Sequence, residues 1–221
     1  RGFGRDYQVV IVDDASSDRT PAVLKRYRAF LPLRVLRTEA RMGYGVALAW
    51  VIRDVVERSR YPKRDVVVTI QGDLTEDPED MVAMVKMIEG GADLVAGAMD
   101  EGGRVLPRPI RLARRIARLV ARAMRRAPVS DPLSGFRAYR LIVLKRALRD
   151  QEEGRRLFQS DGWGANVELL ALAAPHARRI EESPFRVWVA RRIRPSRFRA
   201  VSSLNALFRL RRTSWPGPAV T

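Results

Sequence analysis

Two groups of carboxylates stand out in a chain with no cysteine and one histidine: Asp13-Asp14, with Asp18 close behind, and Asp73 with Glu76 and Asp77. Without thiols or an imidazole cluster, such carboxylates suit a hard divalent cation, Mg2+ or Mn2+. That cation seeks phosphate, and a metal-bridged diphosphate is a good leaving group, so the chemistry indicated is transfer from a nucleoside diphosphate. Taken alone, either cluster also reads as a strand end and a helix cap. The third group is cationic. Arg108, Arg111, Arg114, Arg115, Arg118, Arg122, Arg125 and Arg126 fall within an arc of roughly 120° when residues 108–126 are wound at about 100° per residue. Leu112, Ile116, Leu119, Val120 and Met124 lie opposite them. This pattern suits a helix lying in a lipid headgroup layer with its guanidinium groups on lipid phosphates. It equally suits a surface helix whose apolar stripe packs on the domain. His176, in a loop-like stretch after an apolar run, reads as a surface histidine.

The carboxylates need strands to carry them. Residues 7–12 form a continuous β-branched run ended by the polar turn 13–18, and Pro21 suits the start of a helix over about 21–30. A second strand is expected at 33–36, then the Gly43-Tyr44-Gly45 turn and a helix near 45–58. A third strand at 65–70, the loop 71–78, a helix near 79–89 and a fourth strand at 93–97 follow. Strand and helix alternate, which argues for an α/β fold with a mainly parallel sheet covered by helices on both faces. Ligands in such sheets gather at the carboxyl ends of the strands, where both acidic clusters fall. Beyond residue 100 the pattern changes to a Gly/Pro-rich loop, the basic helix, a Ser-Gly-Phe segment, another helix and a basic tail.

Length and composition bound the partners. A chain of 221 residues that is 46% hydrophobic can close a core. Forty-two Lys and Arg against 25 Asp and Glu give a formal charge of +17, a field that attracts phosphates of any origin. The longest apolar runs fall far short of the roughly 18–20 residues that span a bilayer, and no signal-peptide pattern opens the chain. Membrane contact is therefore expected to be peripheral. Charge and the arginine-rich helix alone would also fit a nucleic-acid-binding module. That reading leaves two acidic clusters at strand ends unexplained, and aromatic platforms for bases are sparse at 7%, so no nucleic-acid partner is expected.

At the level of motifs the sequence resembles the family 2 glycosyltransferases, most closely their dolichol- or polyprenyl-phosphate mannosyl- and glucosyltransferase branch. Residues 9–20, Val-Val-Ile-Val-Asp-Asp-Ala-Ser-Ser-Asp-Arg-Thr, are similar to that family's V-D-D-x-S-x-D-x-T strand and turn. Arg41-Met42-Gly43-Tyr44-Gly45-Val46-Ala47 is similar to N-x-G-x-G-x-A, with arginine in place of asparagine. Residues 71–79 occupy the place of the D-x-D metal motif, with Gln71 replacing its first aspartate. Asp131-Pro132-Leu133-Ser134-Gly135-Phe136-Arg137 matches D-x-x-S-G-F. Glu182-Ser183-Pro184-Phe185, then Arg191 and Ser196-Arg197, resemble E-x-P-x and R-x-x-G-x-S-K, with Arg194-Pro195 where glycine is usual.

The resemblance implies a GT-A-like catalytic domain over 1–190, with 108–126 as an inserted interfacial helix, and a basic loop, amphipathic helix and tail over 191–221. It implies an opening strand and a P-x-Y-N-E motif upstream of Arg1, and, in many relatives, transmembrane helices downstream. The donor is a nucleotide sugar, GDP-mannose or a UDP-hexose, contacted by Asp13, Asp14 and Gly43. Asp73 and Gln71 hold Mg2+ or Mn2+, the latter more weakly or through water. Asp73, Arg111 and Arg191 are the implied catalytic residues. Arg114, Asp131, Ser134, Arg137, Ser196 and Arg197 complete the substrate site, and the acceptor is a polyprenyl phosphate at the cytoplasmic face of a membrane. A phosphate oxygen is already largely ionised near neutral pH, since its second pKa is about 6, so inverting in-line attack needs no base. A soluble hydroxyl acceptor would need one, Asp131 or Glu168, although Glu168 sits among apolar neighbours that favour a packing role. Loss of an aspartate at Gln71 also leaves open an inactive relative.

Overall fold

Valine and isoleucine at positions 9–12 are stiff at χ1 and favour extended backbone, and in the computed structural model they open the first strand, β1 (Val9–Asp14). The structure describes residues 4–99, 112, 115, 116, 128–151 and 156–188. After β1 come α1 (Thr20–Tyr27), β2 (Leu33–Thr38), α2 (Tyr44–Arg58), β3 (Val66–Thr69), α3 (Asp80–Glu89), β4 (Leu94–Met99), β5 (Arg137–Arg140), α4 (Leu141–Arg149), α5 (Trp163–Ala173), a 3-10 turn (Ala174–His176) and β6 (Ile180–Phe185). The first four strands and three helices fall where the sequence places them, to within three residues at each end.

The strands form two sheets. β1 and β2 pair in parallel from Val9 opposite Leu33 to Asp14 opposite Thr38. The second sheet has the order β3-β5-β4-β6. β5 is antiparallel to both β3 and β4, whereas β4 and β6 are parallel. β3, β4 and β6 therefore run the same way, and β5 is the one reversed strand among the described residues. The sequence pattern does not foresee β5 or β6: Arg-Ala-Tyr-Arg and Ile-Glu-Glu-Ser-Pro-Phe carry little of the apolar run that marks a strand.

Helices cover both faces of the larger sheet. On β4, Leu94 and Ala96 join the cluster built with Leu48, Ile52 and Leu144, while Val95 points the other way into the cluster of Met84, Ile88, Phe136 and Phe185. That alternation is the period of two of a strand, and burial of both sides explains why β4 reads as an unbroken apolar run. Full burial of a side chain such as Ile88 or Leu94 contributes about 1.5–3 kcal/mol. Gly97 allows this packing, because a Cβ there would lie 2.9 Å from the Phe136 carbonyl and 3.0 Å from the rings of Phe136 and Phe185. Those rings meet edge to face with centroids 5.1 Å apart. α2 packs on β1 and against α4 and α5, so it joins the small sheet to the core of the larger one.

Of the basic helix, Leu112, Arg115 and Ile116 are described. All three are helical, Arg115 is exposed, and Leu112 is 60% exposed although the sequence places it on the apolar face. No helix among the described residues is long and apolar enough to cross a membrane.

Candidate active site

Both acidic loops turn sharply at the carboxyl end of a strand through a non-glycine residue in the left-handed region. Ala15 has φ 51° and Leu74 has φ 64°, a conformation that is costly for residues with a Cβ and is often kept at functional loops. Local side chains over-determine each turn. Asp13 Oδ1 accepts from the Ser16 amide at 3.1 Å, and Asp73 Oδ1 accepts from the amide and hydroxyl of Thr75 at 3.1 and 2.5 Å.

The two aspartates after β1 have different surroundings. The Asp14 carboxylate accepts from the amides of Met42 at 2.7 Å and Gly43 at 3.0 Å, and from the Thr38 hydroxyl at 3.3 Å. Asp14 thus holds the turn that starts α2, next to Gly43, with which the sequence reading assigns it to the donor. The Asp13 side chain is buried, and its Oδ2 has no hydrogen bond. The half-exposed guanidinium of Arg37 stands 3.3 Å from that oxygen.

Gly43 precedes the first turn of α2 with φ 90° and has no side chain to cap the helix. The cap comes from Asp161, 116 positions beyond Gly45, whose Oδ1 accepts from the Gly45 amide at 2.7 Å. Asp161 Oδ2 lies 3.0 Å from where a Gly43 Cβ would be, and the Ser160 carbonyl lies 2.5 Å from where a Gly45 Cβ would be. Close approach of the 160–161 loop thus requires both glycines of the Gly-Tyr-Gly turn. Asp14 and Asp161 together supply negative charge to the positive end of α2.

Between the glycines, Tyr44 donates its hydroxyl proton to Asn166 Oδ1 at 2.8 Å. Burial of that hydroxyl, and then the nearby Glu76 carboxylate, hold its ionisation well above that of an ordinary phenol. Asn166 Nδ2 donates to the Leu133 carbonyl at 3.2 Å. Glu76, buried, accepts from the Gln71 amide at 2.8 Å and so fixes the start of the 71–77 loop.

The Asp131–Arg137 segment is held from inside. Asp131 Oδ1 accepts from the Leu133 amide at 3.1 Å, and Ser134, 2% exposed, accepts from the Phe136 amide at 3.3 Å. Arg137, expected to bind substrate, is instead 1% exposed and donates to the carbonyls of Asn166 and Pro132. It shares a face of β5 with buried Tyr139, and Ala138 on the other face is buried too, so this strand meets the core on both sides. Glu168 accepts from the amides of Gln159 and Ser160, which shapes the loop that delivers Asp161.

Hydrogen bonds link the five motif segments, in part through residues that flank them. Asp14 reaches Gly43, and Tyr44 reaches Leu133 through Asn166. The Thr69 hydroxyl donates to the Gly135 carbonyl at 2.6 Å. Ser130 donates twice to Glu182 at 2.7 Å, and the Trp188 amide donates to the Thr75 carbonyl at 2.8 Å. Asp13, Asp14, Gly43, Gln71, Asp73, Asp131 and Ser134 therefore lie in segments linked by one hydrogen-bonded network that spans the two sheets. Arg111, Arg114, Arg191, Ser196 and Arg197 lie outside the described residues.

Asp73 and Gln71 offer a carboxylate and a carboxamide, both hard oxygen donors. No group of three or more His, Cys, Asp or Glu side chains gathers as a cation cage among the described residues. Such a donor pair fits a cation that shares its coordination with substrate phosphate and water, the usual habit of Mg2+. Sequence reading missed Asp161 and Asn166. A lone amide in the apolar helix 163–173 is a signal that was present, because a buried carboxamide must find partners. Nothing local marks Asp161 as the cap of a helix so distant in sequence.

The family model described as glycosyl transferase family 2 matches residues 3–148. A dolichol-phosphate mannosyltransferase of Pyrococcus furiosus is 32% identical over 147 residues, covering 64% of this chain and 40% of that protein. A dolichyl-phosphate hexose transferase of Haloferax volcanii is 31% identical over 176 residues, covering 79% of this chain and 68% of that protein. The chain thus spans well under half of the first relative and about two thirds of the second. Among solved structures, glucosyl-3-phosphoglycerate synthase from Mycobacterium tuberculosis superposes with a TM-score of 0.56 at 23% identity, covering 95% of this chain and 70% of the other.

Proposed function

The chain belongs to glycosyl transferase family 2, and from that premise we propose that it transfers a hexose from a nucleoside diphosphate sugar to a polyprenyl phosphate. The observation that supports the reading is the hydrogen-bonded network that links the five motif segments, with both acidic loops at strand ends. The names of the P. furiosus and H. volcanii relatives, a dolichol-phosphate and a dolichyl-phosphate transferase, supply the acceptor class.

In the proposed reaction an acceptor phosphate oxygen attacks the anomeric carbon from the side opposite the diphosphate. The new carbon–oxygen bond forms as the old one breaks, the electron pair leaves on the diphosphate, and the configuration inverts. Asp14 and Asp161 hold the Gly43–Gly45 turn, and Asp13, with Arg37 beside it, is proposed to contact the donor. Asp73 and Gln71 would hold Mg2+ or Mn2+, which when bound neutralises charge on the departing diphosphate. Arg111, Arg114, Arg191, Ser196 and Arg197 are proposed to bind the acceptor phosphate, and Asp131 and Ser134 to shape the turn that faces it. Peripheral contact with the cytoplasmic face of a membrane, through the basic helix 108–126, is proposed to bring the lipid to this site.

A phosphate acceptor is favoured over a hydroxyl by the two carboxylates that would have to serve as base. Asp131 accepts from its own turn, and Glu168 accepts from two loop amides. The test is transfer of radiolabel from GDP-mannose or UDP-hexoses, with Mn2+, to polyprenyl phosphate in detergent micelles. Label in the organic phase is expected. Label passed only to water or to a soluble hydroxyl acceptor would refute the acceptor assignment.

A further inference from the structure

One buried polar side chain in α5, a helix whose other buried residues carry no polar side-chain group, touches both segments assigned above to donor and acceptor. Asn166 is 2% exposed, and α5 buries Ala165, Val167, Leu169 and Leu170 around it. Its Oδ1 takes the Tyr44 hydroxyl proton at 2.8 Å, and its Nδ2 donates to the Leu133 carbonyl at 3.2 Å. Its own carbonyl accepts from Arg137 Nη1. The same Nδ2 lies 2.9 Å from where a Gly135 Cβ would be, so the amide presses directly on the Ser134-Gly135 turn. An apolar residue would fill the space without the cost of desolvating a carboxamide, whereas the amide makes two bonds of fixed direction.

We propose that Asn166 is a positioning residue that sets the spacing between the Gly43–Gly45 turn and the Asp131–Arg137 turn, and so aligns donor with acceptor for transfer. The inference rests on the reading of those turns given under the proposed function. The linkage is stable to pH, because Tyr44 keeps its proton and remains a donor across the physiological range. In-line displacement is sensitive to alignment, and a misplacement of about 1 Å costs on the order of 100-fold in rate.

The experiment compares Tyr44→Phe, Asn166→Asp and the double variant with the wild-type chain. Asn166→Asp keeps an acceptor for Tyr44 and removes the donor to Leu133. The expected result is a kcat about 10- to 100-fold lower in each single variant, nucleoside diphosphate affinity within about twofold of wild type, and a double variant no slower than the slower single one. Hydrogen exchange supplies a readout independent of turnover: Tyr44→Phe should speed exchange of the amides of residues 133–136 roughly tenfold, although Tyr44 reaches them only through Asn166. Unchanged exchange at 133–136 would overturn the inference, whether or not kcat falls, since a fall in rate alone would place Tyr44 on the substrate itself. A rate within twofold of wild type in both single variants would overturn it as well. If the wild-type chain transfers no sugar, the proposed function fails, and the exchange result alone then decides whether Asn166 couples the two turns.

Discussion

Asp161 illustrates how much one carboxylate can set at the scale of a residue. Its oxygens cap α2 at the Gly45 amide and occupy the space a Gly43 side chain would need. Removing the cap should cost about 1 kcal/mol, so Asp161→Ala is expected to melt roughly 2–4 °C below wild type, while Asp161→Asn, which keeps an acceptor, loses less. Thermal denaturation followed by circular dichroism checks both. The acidic clusters and the Gly-x-Gly and Ser-Gly-Phe segments were legible in the sequence because their residue types are unusual where they stand. The division of labour between Asp13 and Asp14 was not, because it depends on which of two adjacent side chains faces the start of a helix formed 30 residues later. The surroundings of Arg137 were hidden for a related reason: β5 is buried on both faces, so its guanidinium meets main-chain carbonyls, and nothing in a four-residue segment announces that burial.

At the scale of elements, α3 carries a charge whose environment opposes it. Burial, then the neighbouring Asp77 carboxylate, raises the Asp80 pKa, against a backbone hydrogen bond from Arg186 that lowers it. A carboxyl whose folded pKa is raised favours the folded state when protonated, and that advantage is lost as pH rises through the folded pKa. Asp80→Asn should therefore raise the melting temperature at pH 7, and the gain should vanish as pH falls below the titration of Asp80. Melting curves across that range measure it. β1 to β4 and α1 to α3 were readable from β-branched runs, turn residues and helical periodicity. β5 and β6 were not, since β5 is two arginines around Ala-Tyr and β6 holds two glutamates and a proline. Their place comes from long-range pairing between β3 and β4 and beside β4, which no local pattern encodes.

For the whole molecule, the balance of +17 and two acidic strand ends divides the surface into a general attraction for anions and a local preference for a cation with its diphosphate. Leu112 exposed at 60% with Arg115 exposed beside it fits a helix that offers both apolar and cationic groups outward. Contact driven by charge should weaken as the Debye length shrinks from about 10 Å at 0.1 M salt to about 3 Å at 1 M. Co-sedimentation with phosphatidylglycerol vesicles is accordingly expected to fall steeply over that range, and binding to purely zwitterionic vesicles to be weak throughout. The joining of β1's acidic loop, the glycine turn and the 71–77 loop into one donor site is tested most directly by calorimetric titration with GDP and UDP, with and without Mn2+, for the wild type and Asp73→Ala. Binding of at least one nucleotide that strengthens with Mn2+ in the wild type, and loses that gain in Asp73→Ala, is the expected result. Absence of binding to either nucleotide, or an Mn2+ effect that survives loss of Asp73, would contradict it.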